Sequence, residues 1–597
     1  MSNALSTTDK AADVVSGQKQ QLAAARALLS VHHAGEAQAL IAQELSRQPC
    51  HHEWLELAAV ADMMTGQFAE AETHWRTLIQ VSPELLFPYH HLEILLGKRR
   101  AEAELESVYR DALTRMQQNG APREHLANIQ RLYAFWLRGR ERNEEAMSVL
   151  SAALEAQPEE PRNLCLLGIL KADAREYEEA WQAYSTALYH KPDFVDALFH
   201  RALLANDLGD HGASEQDYRR ALGLQPENSV TLNNLGLLLQ NQMRFAEAEA
   251  CFQSALGAAP SDLNTNVHYA LLLLQTGRYR EAWRRYEARL SPQRTVFKIK
   301  TPAFGFPRWH GEPLAGKSIL IWPEQGFGDN IQFARLIPLL KTRMGAGRVS
   351  VRCRRSLMRL FQTLEGVDEV YLHERFNQPP ITEIPAHDYW EFFLSLPLRL
   401  DITLDNLPAT MPYLHVRTQP AWMSSWTKTR PPRRFRVGLA WRGNVHKRLS
   451  NKTRTVHDVH ELAALWSVPD TDFYSLQKGK GEAETLNPPP EQPFQPLGGP
   501  IDDFADTAAI IERLDLVICI DTAVAHLANA LGAPCWVLLP LEGADWRWGM
   551  PGSAYSPWYP RARLFRHRAT GDQSWSPLIA SVSDALASQV SRWREAN

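Results

Sequence analysis

The sequence predicts a helical solenoid in its first half and, in its second, an α/β region of two lobes with parallel sheets. Three observations carry that expectation. Prolines at 49 and 83, and then at 158, 192, 226 and 260, recur at intervals of 34 residues within each group. The helical period ends near Pro292, and strands, glycine turns and helices alternate after it. From Asp515 to Pro540 the chain reads as a buried strand, a sharp turn, a helix and a second buried strand. That order fits one right-handed βαβ unit.

Size and composition narrow the class. A chain of 597 residues is too long for one core and suggests three or more domains. With 45% hydrophobic and 22% charged residues it has an ordinary globular composition. A net charge of −4 gives no global basic field for nucleic acid or an anionic membrane. Met1 to Gln21 is polar, without an apolar signal segment, and no apolar run approaches membrane-spanning length. The expectation is a cytoplasmic protein without a membrane span, its residues 1–17 a disordered tail. Cysteines 50, 165, 251, 353, 519 and 535 are scattered without a C-x-x-C pair. They read as reduced core residues, not as a disulfide frame or a zinc site.

Within the first half the period carries a pattern. With Pro192 as the last marked position of its repeat, Leu164, Leu167, Gly168, Tyr177, Ala180, Tyr184 and Ala187 precede it. Leu232, Leu235, Gly236, Phe245, Ala248, Phe252 and Ala255 stand before Pro260 in the same way. Small residues let paired helices approach, and aromatic ones fill the space between them. This 34-residue pattern resembles the tetratricopeptide (TPR) proteins over residues 18–293. Between Pro83 and Pro158 the spacing exceeds two periods by seven residues, which predicts a longer loop near Leu85–Ala121 or a break between two sub-arrays. A solenoid of this kind presents an extended concave surface for a protein or peptide partner. Self-association, or buttressing of the C-terminal half, is the alternative. Asp173, Asp207, Asn241 and Gln275 recur late in the first helix of four repeats. They form a candidate polar ladder for a peptide backbone, or are solvated helix ends.

The first α/β lobe is expected over 294–417. A strand at Ser318–Trp322 runs into the turn Pro323–Gly328, and an amphipathic helix over Asp329–Lys341 follows. Strand, glycine turn and helix start make a phosphate- or sugar-binding geometry. Gly326, Gly328 and Asn330 line this turn, and Asp329 faces the crevice, or serves as a helix cap worth about 1 kcal/mol. A polar linker, 418–434, separates this lobe from the second, 435–597. There Arg436–Trp441 is a strand ending in Arg442, Gly443 and Asn444. Lys447, Arg448, Lys452 and Arg454 follow in a loop whose cations suit a diphosphate, or make a solvated basic loop. Phe473–Leu476 is the next strand and ends in Gln477, Lys478 and Gly479. After the Asp515 strand, Asp521 and Thr522 can each cap a helix starting Ala523-Val524-Ala525-His526. Small side chains there leave the first backbone N–H groups approachable by a ligand, and His526 can donate to a phosphate oxygen.

Two Rossmann-like lobes without G-x-G-x-x-G suggest a sugar-nucleotide enzyme of the GT-B type. The motifs, in order, are G-F-G-D-N (326–330), W-R-G-N-x-H (441–446), S-L-Q (475–477), D-F-A-D-T-A (503–508), D-T-A-V-A-H (521–526), D-W-R-W (545–548) and S-P-W-Y-P (556–560). Residues 314–570 thereby resemble the TPR-linked bacterial glycosyltransferases related to the heptosyltransferase group, glycosyltransferase family 9. The resemblance implies Asp329 as the base, and Asp521, Thr522 and His526 as holders of the donor phosphates. Two departures, a basic loop with extra residues and Thr455 after its arginine, and the lack of the exact donor loop of the lipopolysaccharide heptosyltransferases, leave the donor sugar open. The function so implied is sugar transfer from a nucleotide sugar to an acceptor hydroxyl, on a protein recruited by the repeats. Arg442, Asn444, Lys447, Gln477, Lys478, Asp521, Thr522, Ala523 and His526 would bind the donor. The donor is a substrate, and neither a cofactor nor a metal is called for. Trp546, Trp548 and Trp558 would stack on sugar or base, or pack at an edge. A non-catalytic TPR adaptor and a transferase acting on glycan or lipid are the rival readings.

Overall fold

The computed structural model describes residues 19–294, 298–373, 384–417, 419–424, 434–443, 454–486, 494–567 and 574–596. The expected tail 1–17, Asn444, Lys447 and most of the linker lie outside the described residues. The chain forms two compact units, Met1–Leu204 and Ala205–Asn597. The expected boundary at 293/294 lies inside the second unit, into which the helix pairs run.

The first unit consists of helix pairs. In the pair Pro161–Asp173 and Tyr177–His190, Gly168 lies against the ring of Tyr184. A Cβ there would stand 2.5 Å from the ring edge, so only glycine admits this approach. Burial of Ala180, Tyr184 and Ala187 on the second helix completes the contact. The seven surplus residues between Pro83 and Pro158 do not make a long loop. They lengthen Glu102–Gln118 to 17 residues and Arg123–Arg138 to 16, where the regular pair has 14 and 13, and add one residue to the turn after Arg138. Trp54, Trp75 and Trp136 are buried in this unit, each contributing about 1.5–3 kcal/mol or more of apolar burial.

Helix pairs continue in the second unit, where Gly236 lies against Phe252 as Gly168 does against Tyr184. The last pair is Leu263–Gln275 and the short helix α1 (Tyr279–Tyr286), followed by the 3₁₀ turn Glu287–Leu290. A four-stranded parallel sheet comes next, built of β1 (Ser318–Trp322), β2 (Arg348–Cys353), β3 (Glu369–Leu372) and β4 (Tyr389–Phe392) in the order β3-β2-β1-β4. The second sheet holds β5 (Phe435–Ala440), β6 (Thr471–Ser475), β7 (Phe494–Pro496), β8 (Leu516–Ile520), β9 (Cys535–Pro540) and β10 (Ala562–His567). Its order is β10-β9-β8-β5-β6-β7, all parallel. Every residue of β8 and β9 is buried, as expected of central strands covered on both faces.

Strand β1 feeds α2 (Phe327–Ala334) through the glycine turn. This helix begins two residues earlier than the sequence suggests, and a separate short helix, Ile337–Thr342, with Pro338 in its first turn, follows it. Helices α3 (Arg355–Phe361) and α4 (Phe504–Ile511) meet through Arg359, which donates to Asp506 at 2.9 Å and Asp503 at 3.1 Å. Strand β8 feeds α5 (Ala523–Ala530).

The last repeat is welded to this α/β body. Trp283 of α1 packs edge-on against Trp546 and Phe333, and the Trp558 indole N–H donates to the Tyr279 hydroxyl at 2.7 Å. Beside them lies a buried ionic cluster. Arg289 donates to Glu324 at 2.8 and 3.0 Å, to Glu287 at 2.8 Å and to Ser395 at 2.8 Å. Arg308 and Arg399 each reach the fully buried Glu391 at 2.7 Å.

Candidate functional site

The carboxyl ends of β1 and β8 each run through a short turn into a helix, and the first turns of those helices, α2 and α5, meet. Gly328 faces the His526 ring so closely that a Cβ would stand 2.6 Å from Cδ2. An α-helix leaves its first N–H groups without intrahelical partners, and two such ends converge on one place here. Thr522 is the N-cap of α5 but makes no side-chain cap bond, and among the described residues its buried hydroxyl has no hydrogen-bond partner. The Asn330 side-chain oxygen and the Gln332 side-chain nitrogen, on α2, are buried and also without a partner among the described residues.

Asp329 is not the N-cap of α2. It is the third helical residue, and its Oδ2 accepts the N–H of the cap, Gly326, at 2.8 Å. Its Oδ1 accepts from Arg547 of the opposite lobe. Asp545 accepts from Arg547 Nη1 at 2.9 Å and Gln332 from Nε at 2.5 Å. Arg547 therefore spans the crevice, buried, with carboxylates from both lobes around it.

His526 bonds Tyr559 Oη through Nδ1 at 2.8 Å, stacks on Trp548 at 5.4 Å, and holds Nε2 4.0 Å from Asp521. Burial first, and the charge of Arg547 second, push its pKa down to about 4, so the imidazole is neutral at pH 7. Burial, followed by the like charge of Asp545, raises the pKa of Asp521. Burial acts on Asp545 in the same sense but is outweighed by Arg547 and Arg454, and its pKa falls. Two neighbouring carboxylates are thus driven apart in proton affinity.

The remaining expected residues divide. Asp521, Thr522, Ala523 and His526 stand together with Gly326, Gly328, Asp329 and Asn330. Asn330 turns its amide N–H inward to the Gly326 carbonyl at 2.7 Å. Gln477 is a strut: its amide accepts from the N–H of Trp441 and Arg442 and donates to the carbonyls of Arg442 and Lys480. Arg442 is drawn to Glu484 and the His457 carbonyl, and Lys478 donates to the Gly498 carbonyl at 2.9 Å. All three sit at strand ends as expected, with their polar atoms turned to the protein. Among the repeat residues, Asp173 pairs with Arg138 at 2.6 Å. Asp207 and Asn241 are exposed, whereas Gln275 is buried and accepts from Gln240 at 3.1 Å. The three tryptophans are not platforms for sugar or base. Trp546, Trp548 and Trp558 are buried, and Trp546 and Trp558 pack on α1. Residues the sequence reading did not single out are Arg547, Asp545 and the Arg289–Glu324 pair. Only the position of Arg547 and Asp545 inside D-W-R-W hinted at them.

An open surface hollow of about 460 Å³ lies elsewhere, on α1, between Arg280, Glu281, Arg284 and Arg285. Arg280 pairs there with Asp401, and Arg285 with Asn266. It is ordinary surface relief, apart from the converging helix ends. Among the described residues no helix is long and apolar enough to cross a membrane.

Residues 165–229 and 233–294 match the tetratricopeptide repeat family, and residues 475–538 match glycosyltransferase family 9 (heptosyltransferase). That second segment runs from the end of β6 to β9 and contains the Asp521–His526 turn. Protein FlbA of Caulobacter vibrioides is 30% identical over 323 residues, which are 51% of this chain and 52% of that protein. The chain thus spans about half the length of that curated relative. Among solved structures, MamA of Desulfovibrio magneticus aligns at 16% identity over 27% of this chain and 90% of its own, with a TM-score of 0.25. PilF of Pseudomonas aeruginosa aligns at 21% identity over 28% of this chain and 76% of its own, with a TM-score of 0.27. Likenesses so partial carry no functional weight.

Proposed function

We propose that this chain of TPR repeats with a glycosyltransferase family 9 segment moves a sugar from a nucleotide-sugar donor to a hydroxyl of a protein acceptor. The single observation that carries the reading is the convergence of the two helix starts, α5 within the family 9 segment and α2 bearing Asp329. The two parallel sheets are read as the halves of a GT-B enzyme. The donor diphosphate lies at the start of α5, where free N–H groups, the helix dipole and the Thr522 hydroxyl favour negative charge. His526, neutral, donates a hydrogen bond to it. Asp329 receives the proton of the acceptor hydroxyl as its oxygen attacks the anomeric carbon. The bond from that carbon to the phosphate oxygen breaks, and its electron pair leaves with the nucleotide. Stabilisation of this leaving group by preorganised donors is the main electrostatic contribution. No step in this scheme requires a metal. The repeats hold the acceptor protein, by analogy with the concave surfaces of other repeat arrays.

A thermal-shift screen against UDP-, GDP-, ADP- and CMP-sugars tests the donor. A ligand at 100 times its Kd adds about 2.7 kcal/mol to stability. Asp329→Asn should then lower transfer by about 10²–10⁴-fold while donor binding persists. No shift with any donor, together with no donor hydrolysis, would return the chain to the adaptor reading.

A further inference from the structure

Among the described residues Arg547 is the one cation that touches the proposed base, and it reaches it from the opposite lobe. A carboxylate that accepts from a guanidinium and from the Gly326 N–H has one partner on each oxygen and keeps further lone pairs, and release of the guanidinium opens the Oδ1 side to an acceptor hydroxyl. Arg547 is itself tethered by Asp545 and Gln332, so its Nη2 can leave Asp329 without the side chain losing its seat. Gln332, whose side-chain oxygen holds Arg547, leaves its amide nitrogen buried without a partner among the described residues, the Thr522 hydroxyl at the head of α5 is left likewise, and both are polar atoms that a ligand could meet. We propose that Arg547 is a donor-diphosphate ligand which rests on Asp329 while the crevice is empty and swings to the phosphate oxygens when the donor arrives. The inference rests on the proposed transferase reading and adds an order to it: donor binding frees the base. In the transfer step the acceptor oxygen then bonds to the anomeric carbon and its proton passes to the freed Asp329 carboxylate. The nucleoside diphosphate departs with the electron pair of the broken bond, held by Arg547.

The test is a double-mutant cycle read by calorimetry on the full chain, with UDP, GDP and ADP each titrated separately. Arg547→Gln should weaken binding of the preferred diphosphate roughly 10- to 100-fold, as expected for loss of a charge-assisted hydrogen bond. Asp329→Asn keeps the shape and the Gly326 contact but no longer competes for the guanidinium, so it should tighten binding several-fold. That gain should vanish in the Arg547→Gln background. A merely structural ion pair predicts the opposite sign, because its loss would loosen the crevice and weaken binding. Unchanged or weaker binding by Asp329→Asn, with normal binding by the unmodified protein, overturns the Arg547 exchange alone. Should Arg547→Gln fail to fold, the sign of the Asp329→Asn effect still decides. If none of the three diphosphates binds the unmodified protein at millimolar concentration, the donor site falls, and the role of Arg547 with it.

Discussion

Replacing Arg289 by methionine removes a cation that is 1% exposed from an anion, Glu324, that is also 1% exposed. Methionine preserves most of the volume, so the effect isolates charge and hydrogen bonding. Glu324 would keep one N–H partner, from Leu394 at 3.1 Å, and lose both guanidinium contacts. Breaking a buried pair by removing one partner costs about 3–5 kcal/mol, because the other charge stays behind uncompensated. The cation–π contact of Arg289 with Tyr286, at 4.6 Å, disappears as well and adds about 0.5–2 kcal/mol. The control is Arg280→Met on the same helical segment. Its partner, Asp401, is 53% exposed, and such a surface pair contributes about 0–1 kcal/mol. Urea unfolding followed by tryptophan emission reads the second unit, since fourteen of the 18 tryptophans lie beyond residue 204; the two units need not unfold together. Adding Glu324→Gln to Arg289→Met should restore part of the loss by removing the stranded charge. If Arg289→Met and Arg280→Met fall within about 1 kcal/mol of each other, the cluster is not the weld described above.

Gly328→Ala would place a methyl group 2.6 Å from an imidazole pinned by Tyr559 and Trp548; the expected cost is about 1–3 kcal/mol, with the lobes wedged apart and transfer impaired, measured by urea midpoint and turnover. Acid should also weaken the second unit through His526. Its folded pKa, about 4, lies below the ordinary 6.5, so between those values the unfolded chain takes up the proton and the folded chain does not. Stability is therefore fully present above pH 6.5 and falls as pH drops toward 4, by about 3 kcal/mol from this residue. Urea midpoints from pH 4 to 8 should show a shallower acid slope for His526→Asn, and an identical slope would remove the assignment.

Local features of the fold were legible because local chemistry decides them. Leu516–Ile520 is apolar and β-branched and is a central strand; Gly168 and Gly236 recur where an aromatic ring of the paired helix must fit. The start of α2 was misplaced by two residues because its cap is Gly326, which has no side chain to announce a cap, while Asp329 looks like one. Of the site, the Asp521–His526 turn stood out by its position between two buried strands. Arg547 did not, since it lies 218 positions from Asp329 and no periodicity links residues so far apart. The tryptophans beyond residue 535 misled for a related reason. An aromatic cluster looks like a ligand platform until its partner surface is known, and here Trp546 and Trp558 meet Tyr279 and Trp283 on α1. The spacing of four between those two does read as one helical face, but not as a face aimed at a distant lobe.

That partnership bears on how the repeats relate to the candidate chemistry. The turn carrying Gly326 and Gly328 is held on two sides by the last helical segment. Gln325, at a positive φ of 59°, donates to the Tyr286 hydroxyl at 2.9 Å, and Glu324, one residue earlier, is gripped by Arg289. Outside glycine, a left-handed backbone conformation costs about 1–2 kcal/mol, and it persists where the surroundings fix it; here the fixing groups come from α1 and the 3₁₀ turn after it. Asp329 begins four residues beyond Gln325, so its position depends on contacts outside the sheet that bears it. On the opposite lobe, the segment that supplies Arg547 is pressed on the same helix through Trp546 and Trp558. The last repeat thus fixes both halves of the Asp329–Arg547 pair. Any movement that exchanges Arg547 between carboxylate and phosphate must occur against that common support, through the side chain and its immediate turn, without displacement of the repeat.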